Sequence, residues 1–316
     1  MTVAIWLLVA FVGVATIVWG AETFAEHLAT ASTRLGVSTF ALALLLAGAE
    51  PEELATAVTA SLRNAPAIAI GDVIGANVAI CCVALGAAAL VAPIPFGRAV
   101  RRYAGAGVPA GLLAAAFAWD GTVSRVEGAV LVAAYGAFVG TIWALERRPP
   151  TLGETGELDE VRADGRVGTE LALVIAGVTA MAIGSVALVE GVRRVSGIEA
   201  TQGRLGLVVV GLATSFELVV LARSSARRGI TTAVVAAVVG SFTYNVTMTL
   251  GAGALARPLR LADPSLLRGP WVAMLLALVL TLALSARSHE LGRRSGLALL
   301  AGYPVFVAFV LTSTRT

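Results

Sequence analysis

The chain has 316 residues, of which 58% are hydrophobic and only 14% are charged, and its mean hydropathy is +0.87. This is the composition of a protein that crosses a membrane several times, and it excludes an ordinary soluble domain. All 23 basic side chains are arginine, and the net charge of +3 is too small and too dispersed to indicate nucleic-acid binding. The lack of lysine also excludes enzymes that use a phosphate-loop, Schiff-base or general-base lysine.

Ten apolar stretches along the chain approach the length of about 20 residues that a helix needs to cross a bilayer. They lie near 3–30, 37–62, 66–93, 105–120, 125–146, 168–191, 203–225, 230–256, 270–286 and 292–312. We expect residues 3–20 to begin a retained span, because they lack a positively charged leader and a clear cleavage site. The sequence therefore predicts an all-α polytopic membrane protein with ten transmembrane helices.

A polar segment at 147–167 interrupts these stretches with Pro149, Pro150 and many charged residues. Such a composition is typical of a solvated linker. Because five spans precede the linker, the two halves must enter the membrane from opposite sides, as two inverted five-helix repeats. The predicted divisions are a first repeat, a polar linker and a second repeat, at 1–147, 148–167 and 168–316.

The distribution of arginine predicts how the chain is oriented. With the N-terminus outside, fourteen of the 23 arginines fall in loops on the inner side of the membrane. Cytoplasmic loops carry an excess of basic residues. We therefore expect a protein of the cell membrane with its N-terminus outside and its central linker in the cytoplasm.

The two halves share a sequence pattern. In each, an apolar run leads to a Glu-Leu pair, an arginine-containing turn, a second apolar run with a glycine, and then a Leu-Gly step. Glu53 precedes Gly75 by 22 residues, and Glu217 precedes Gly240 by 23. Polar residues at matching positions of inverted repeats indicate an alternating-access transporter with its binding site between the repeats.

The second span carries three carboxylates within four residues, Glu50, Glu52 and Glu53, around Pro51. Each would cost roughly 2.5–3.5 kcal/mol at the centre of a membrane helix if charged and unpaired. No arginine lies nearby in the span, so a bound cation is the natural partner. Pro51 should break the helix and free carbonyls near Ala47 as cation ligands. The alternative is that these glutamates lie at a helix end near the membrane surface.

Other polar residues in the spans are candidate oxygen ligands for a cation. Each has a structural alternative: hydroxyls bond a carbonyl one turn back, amides bridge helices, and glycines allow close packing. A carboxylate in the seventh span has no comparable structural explanation. The candidates are Thr214, Ser215 and Glu217 of the seventh span, Asn77 and Ser241 and Asn245 of the third and eighth spans, and the backbone of Gly211.

The remaining polar groups in the spans predict less specific roles. Asp72 lies near the start of its span, which favours a helix-start or interfacial position. Glu22, Glu26 and His27 form a polar face on the first span, with Glu190 as a counterpart in the sixth, and we expect a solvated face near the interface. The adjacent cysteines, Cys81 and Cys82, are expected to be small buried residues rather than metal ligands.

The repeated pattern resembles the alpha repeats of the sodium/calcium exchangers, within the cation/calcium exchanger superfamily. That family has Gly-Thr-Ser-x-Pro-Glu in one span of each repeat, and Gly-Ser-Asn with a following Asn or Asp in the next. The resemblance covers 36–93 and 203–256. It implies that Glu53 and Glu217 match the two glutamates that coordinate calcium, and that Asn245 matches a ligand of the second repeat.

The sequence also departs from that pattern. In the first repeat the hydroxyl pair falls at Ala49 and Glu50, the serine at Ala76, and the partner of Asn245 at Ile80. These changes weaken a scheme with three sodium ions. A second carboxylate beside the first also introduces an alternative, since two close carboxylates need not both be ionised and such a site can carry a proton.

The sequence thus predicts a secondary antiporter that exchanges calcium, or a related divalent cation, for sodium, with proton coupling as the alternative. The expected partners are these transported ions and the lipid bilayer, without a cofactor. Enzyme function is disfavoured because the Gly-x-Gly-Asp, Gly-x-Ser-x-Gly and His-Glu-x-x-His motifs are missing. A scaffold would not explain carboxylates in both repeats. The transported ion is expected between Glu50, Glu53, Glu217 and Asn245, with backbone carbonyls near Ala47 and Gly211.

Overall fold

The computed structural model describes residues 3–34, 50–146, 167–227, 231–286 and 289–312, and these are mostly helical. Before the linker, the elements are α1 (Val3–Arg34), α2 (Pro51–Leu62), α3 (Pro66–Ala79), a π-helical turn (Ile80–Ala84), α4 (Leu85–Val91), β1 (Ile94–Pro95), α5 (Arg98–Ala118), β2 (Thr122–Val123) and α6 (Arg125–Glu146). The linker itself lies outside the described residues.

After the linker, a similar series of elements follows. They are α7 (Val167–Val195), α8 (Glu199–Leu205), a π-helical turn (Gly206–Val210), α9 (Gly211–Thr214), α10 (Phe216–Arg227), α11 (Thr231–Tyr244), a π-helical turn (Asn245–Thr249), α12 (Leu250–Ala256), β3 (Leu259–Arg260), α13 (Ser265–Ala286), β4 (Glu290–Leu291) and α14 (Arg293–Thr312).

Six helices within the described ranges are long and apolar enough to cross a membrane. They are Val3–Phe24, Pro66–Val91, Arg125–Ile142, Gly168–Val195, Ser265–Ala286 and Arg293–Thr312. The expected class, a mostly helical membrane protein, is confirmed. The expected total of ten spans stays a prediction, because the second of them runs into residues 35–49, which lie outside the described part.

Four two-residue strands depart from the expected all-α fold. β1 pairs antiparallel with β4 through Ile94 and Leu291, and β2 pairs antiparallel with β3 through Val123 and Leu259. Each pair joins a loop before the linker to a loop after it. These contacts satisfy backbone groups at the ends of long helices, which a sequence of apolar runs does not reveal.

Helix breaks occur at two places that matter for the site. α2 begins at Pro51, with Glu50 before it in a non-helical conformation (φ −102°, ψ 86°). Proline is favoured at the first helical position because its missing N–H has no helical partner there. α2 thus begins at the proline where the sequence predicted a break, and residues 35–49 before it lie outside the described part. The seventh predicted span is also interrupted, at Ser215 between α9 and α10 (φ −81°, ψ 1°).

α3 is the central element of the described fold, because every residue from Ala67 to Ala79 is buried. A Cβ atom on Gly75 would collide with the backbone carbonyl of Leu207, and one on Gly211 would lie 2.6 Å from the carbonyl carbon of Gly75. The backbones of α3 and of the segment leading to α9 are therefore in direct contact. This close approach brings side chains from the two halves together.

Helices α1 and α7 pack antiparallel along their glycines. A Cβ on Gly13 would lie 2.7 Å from the carbonyl oxygen of Gly184, and a Cβ on Gly177 would lie 2.7 Å from that of Gly20. Small residues at these positions allow backbone-to-backbone contact, as in other membrane helix pairs. The result is a close interface with few projecting side chains.

Candidate cation site

Three carboxylates before the linker are buried where α2, α3, α9 and α11 meet. Glu50, Glu53 and Asp72 are 5%, 1% and 0% exposed. Glu50 precedes the first turn of α2, Glu53 lies in that turn, and Asp72 is in the middle of α3. A buried charge of this kind is costly unless it is paired or binds a cation.

Each of these carboxylates accepts a hydrogen bond from a polar side chain that follows the linker. Ser215 Oγ donates to Glu53 Oε1 at 3.0 Å, and Thr214 Oγ1 donates to Asp72 Oδ1 at 3.0 Å. The third contact joins the π-helical turn Asn245–Thr249 to the residue before α2, where Asn245 Nδ2 donates to Glu50 Oε2 at 3.1 Å.

Further polar contacts complete this cluster. The Glu50 carboxylate interacts with the side chains of both Glu53 and Ser241. Asn245 Oδ1 accepts a hydrogen bond from Thr249 Oγ1 at 3.3 Å. The site therefore combines carboxylate, hydroxyl and amide oxygens, which are the ligand types that hard cations prefer.

The hydroxyls of Thr214 and Ser215 have backbone acceptors as well. Ser215 Oγ lies 2.7 Å from the carbonyl oxygen of Gly211, and Thr214 Oγ1 lies 3.1 Å from that of Val210. Because a hydroxyl has one proton, the backbone and carboxylate bonds are alternatives. These hydroxyls can therefore bond a carbonyl one turn back, as expected for a structural role, and they also lie at the site. When a hydroxyl donates to either acceptor, its lone pairs remain available to a cation.

Several oxygens of the site have no hydrogen-bond partner within the described part of the chain. They are Glu50 Oε1, Glu53 Oε2 and Asp72 Oδ2, and Asn77 Oδ1 further along α3 is in the same condition. None of the three carboxylates forms an ion pair with an arginine or histidine there. A cation would satisfy both the unpaired lone pairs and the uncompensated charge.

The carboxylates alone do not form a ready metal centre. Over the described ranges, no three His, Cys, Asp or Glu side chains are grouped so as to hold a metal ion by themselves. A cation would therefore have to take part of its coordination from hydroxyl, amide and backbone oxygens. The side chain of Glu217 and the whole of Ala47 lie outside the described residues, so the ligand roles expected for them stay predictions.

Comparison with known proteins agrees with this arrangement. The sodium/calcium exchanger protein family matches residues 5–144 and 169–312, which together make up most of the chain. The chain belongs to this family. The exchanger is thus an integral membrane transporter of the cation antiporter class and not an enzyme, and the family resemblance expected from the repeats is confirmed.

Individual relatives are distant. Membrane protein MJ0091 of Methanocaldococcus jannaschii is 23% identical over 303 residues, covering 96% of this chain and 94% of the relative. The sodium/calcium exchanger MaX1 of Methanosarcina acetivorans is 36% identical over 89 residues, covering 28% of this chain and 25% of MaX1. The solved structure of the sodium-calcium exchanger NCX_Mj has a TM-score of 0.63 at 21% identity, covering 97% of this chain and 99% of NCX_Mj. These similarities support the fold along nearly the whole chain.

Most of the remaining predicted ligands are buried in the exchanger at or near the cluster. Asn77, Ser241 and Asn245 are 0%, 1% and 0% exposed. Asn77 Nδ2 donates to Met274 Sδ at 3.7 Å, which holds the amide in place by a weak bond. Gly211 supplies the carbonyl near Ser215, and its lack of a side chain allows the contact with α3.

The role expected for Asp72 is wrong. The residue is not at a helix start or a membrane surface but is fully buried and bonded to Thr214. α3 begins six residues earlier at Pro66 and lies at the centre of the fold, so the sixth residue after that proline is already in the core. The signal in the sequence was an ionisable residue within a long apolar stretch, which by default indicates function.

The starts of α2 and α10 offer a second pairing of glutamates between the repeats, beside the expected pairing of Glu53 with Glu217, which stays a prediction. α2 begins at Pro51 and α10 begins at Phe216. Counted from these starts, Glu217 corresponds to Glu52, whereas the sequence comparison matched it with Glu53. Glu52 is itself 2% exposed, so it too is buried in the first turn of α2.

The polar face expected on α1 is paired rather than simply solvated. His27 Nδ1 lies 2.7 Å from Glu170 Oε2 on α7, and both side chains are partly buried. Glu190, on the same helix, forms ion pairs with Arg193 at 3.2 Å and Arg194 at 2.7 Å. Glu170 and Glu190 therefore have side-chain partners of their own and are not part of the cluster.

Proposed function

We propose that the exchanger is a secondary antiporter that moves calcium, or a related divalent cation, in exchange for sodium. The observation that carries this proposal is the set of buried carboxylates with oxygens that lack a hydrogen-bond partner among the residues the structure describes. Glu50 and Glu53 supply two negative charges, and Asn245 and Ser215 supply neutral oxygens beside them. Glu217 and the carbonyl of Ala47 complete the proposed coordination.

Two inverted repeats of five spans are the architecture that best explains the internal contacts. Gly13 of α1 contacts Gly184 of α7, and Gly20 of α1 contacts Gly177 of α7. The interval from Gly13 to Gly177 equals the interval from Gly20 to Gly184. Exchanging the two halves therefore converts one glycine contact into the other. The π-helical turns at Ile80–Ala84 and Asn245–Thr249 also begin 165 residues apart. Such symmetry supports ten spans in total, with the ion site on the pseudo-two-fold axis.

Alternating access would arise from movement of α1 and α7 against the remaining helices. The glycine interface holds these two helices together as a pair, because their backbones are in contact. A pair that moves as one body could expose the site to one side of the membrane and then to the other. We further propose that the N-terminus is outside and the linker cytoplasmic, on the basis of the arginine distribution.

Proton coupling is the second candidate, and one specific contact favours it. The Glu50 and Glu53 carboxylates are close enough to influence each other's charge. Two carboxylates so close need not both be ionised, so the pair can release a proton when a divalent cation arrives. In this mode the site would be the same and only the counter-ion would differ.

The test is calcium uptake by purified exchanger in liposomes. Vesicles loaded with sodium and diluted into sodium-free medium should take up calcium. Vesicles with a pH gradient alone should not. Glu53→Gln should abolish uptake, whereas Glu190→Gln should retain it, because Glu190 is paired with arginines outside the cluster. Uptake driven only by the pH gradient would establish proton coupling, and uptake under neither gradient would reject both candidates.

A binding measurement gives an independent check. A ligand that binds only the folded protein stabilises it by about 2.7 kcal/mol at 100 times its dissociation constant. Calcium should therefore raise the melting temperature of the purified exchanger, and chelation should reverse the effect. Magnesium, which dehydrates reluctantly and requires near-octahedral geometry, should raise it less.

A further inference from the structure

Asp72 has an environment that the exchange of one divalent cation does not explain. The side chain is 0% exposed, one carboxylate oxygen accepts the bond from Thr214, and the other has no hydrogen-bond partner among the described residues. The negative charge of Asp72 is also close enough to Glu50 and Glu53 to repel both. When this third buried carboxylate is ionised beside the other two, additional positive charge stabilises it.

The groups around Asp72 differ from those around Glu50. Thr214 is the last residue of α9, and its hydroxyl lies 3.1 Å from the carbonyl oxygen of Val210 and 3.4 Å from that of Gly211. The carbonyl end of a helix carries a partial negative charge. Ends of broken helices and unwound carbonyls are typical places for a sodium ion in membrane transporters.

The oxygens around Glu50 and Glu53 and the oxygens around Asp72 therefore suit cations of different charge. Glu50 and Glu53 together provide two carboxylates, with the amide of Asn245, for a divalent cation. Asp72 provides a single carboxylate with one hydroxyl and peptide carbonyls. A single carboxylate among neutral oxygens fits a monovalent cation, whose one positive charge it balances.

We propose that Asp72 is a further cation ligand of the exchanger, and that with Thr214 it binds a monovalent cation of sodium's size at a position next to the one that Glu50 and Glu53 provide for the divalent cation. This inference rests on the proposed exchange function. In this arrangement α3 contributes a charged ligand, Asp72, to the transported ions. The monovalent cation binds the oxygens of Asp72 and Thr214, and the divalent cation binds those of Glu50 and Glu53. Removal of the Asp72 charge should then change sodium binding far more than calcium binding.

The experiment measures sodium and calcium binding separately, by the concentration of each that gives half of the maximal rise in melting temperature. Asp72→Asn keeps an oxygen for the Thr214 hydroxyl and removes the charge. Loss of a charged hydrogen-bonding ligand is worth roughly 1.5–3 kcal/mol, so sodium affinity should fall about 10-fold or more. Calcium affinity should change by less than about 3-fold, because its two carboxylates remain. Glu53→Gln should show the opposite selectivity and lose calcium binding first.

Two outcomes overturn the inference. Unchanged sodium affinity in Asp72→Asn would mean that the carboxylate does not contact the ion, and an equal loss of both affinities would mean that Asp72 has only a structural role. If Asp72→Asn does not fold, Thr214→Val decides in its place, with the same expected loss for sodium alone. Wild-type protein that binds neither cation would refute the proposed function itself, whereas wild-type binding with an unaffected Asp72→Asn refutes this inference only.

Discussion

Ser215 Oγ lies 3.0 Å from Glu53 Oε1, and this contact joins the interrupted helix after the linker to the first turn of α2 before it. Both residues are almost completely buried, at 1% exposure each. Ser215 and Glu53 are 162 positions apart in the chain. The contact therefore links the two halves of the exchanger at the place where each half has a break in its helix.

Removal of the Ser215 hydroxyl should weaken cation binding. In Ser215→Ala a neutral oxygen of the site and a hydrogen bond to a charged group are lost, and such a bond is worth roughly 1.5–3 kcal/mol. The calcium concentration for half-maximal thermal stabilisation should rise by about 10-fold or more. Ser61→Ala is a matched control, because Ser61 is also buried and bonds the carbonyl of Ala57 in its own helix. Equal effects of the two changes would contradict a role of Ser215 in the site.

A carboxylate in place of Asn245 should make the exchanger more dependent on its cation. Asn245→Asp would bring a negative charge close to the Glu50 oxygen that now lies 3.1 Å from the amide nitrogen. Like charges in the interior repel, so the cation-free protein should melt lower, by roughly 2–4 °C for each kcal/mol. Calcium should produce a larger rise in melting temperature than in the wild type. Melting curves with calcium and with chelator measure both effects, and a smaller calcium shift would refute the contact.

A single added methyl group at the close contact between α1 and α7 should destabilise the exchanger. In Gly13→Ala the new Cβ would lie 2.7 Å from the carbonyl oxygen of Gly184, so one backbone must move. Overpacking of this kind costs about 1–3 kcal/mol. The melting temperature should fall and calcium uptake should slow. Gly168→Ala, on α7 but with open space around its Cβ, should leave both unchanged. Equal melting temperatures for the two variants would disprove the close interface.

Orientation in the membrane is tested by cysteine labelling in cells. Cys81 and Cys82 are free and buried, and a background with both changed to alanine removes their thiols. In that background Asp120→Cys should react with a membrane-impermeant maleimide from outside, because its loop is expected outside. Asp159→Cys, in the linker, should react only after the membrane is permeabilised. The reverse pattern would invert the proposed topology.

Local features of the sequence were sufficient for the class of protein and for part of the site. Apolar runs predicted the membrane helices, and α6 has the bounds expected at 125–146. The missing N–H of Pro51 predicted the start of α2, because this effect depends only on the proline itself. Carboxylates in an apolar span predicted a buried acidic cluster, since the cost of burying charge is a property of the residue and its surroundings in the sequence.

Other features depended on contacts between distant parts of the chain. Asp72 could not be assigned to the site from the sequence because its partner Thr214 is 142 positions away. The break at Ser215 has no proline to mark it, and the interaction of Glu50 with Asn245 spans 195 positions.

By itself, the sequence determined that this protein crosses a membrane and that acidic groups lie within its apolar stretches, because hydrophobicity and helix breaking act over a few neighbouring residues. It also predicted that the two halves are related. Only the tertiary structure decided which oxygens meet. Glycine contacts bring α3 against the segment that ends at α9, and this approach determines that two consecutive hydroxyls each face a carboxylate of the other half. Such pairing depends on the packing of whole helices, which no local pattern encodes.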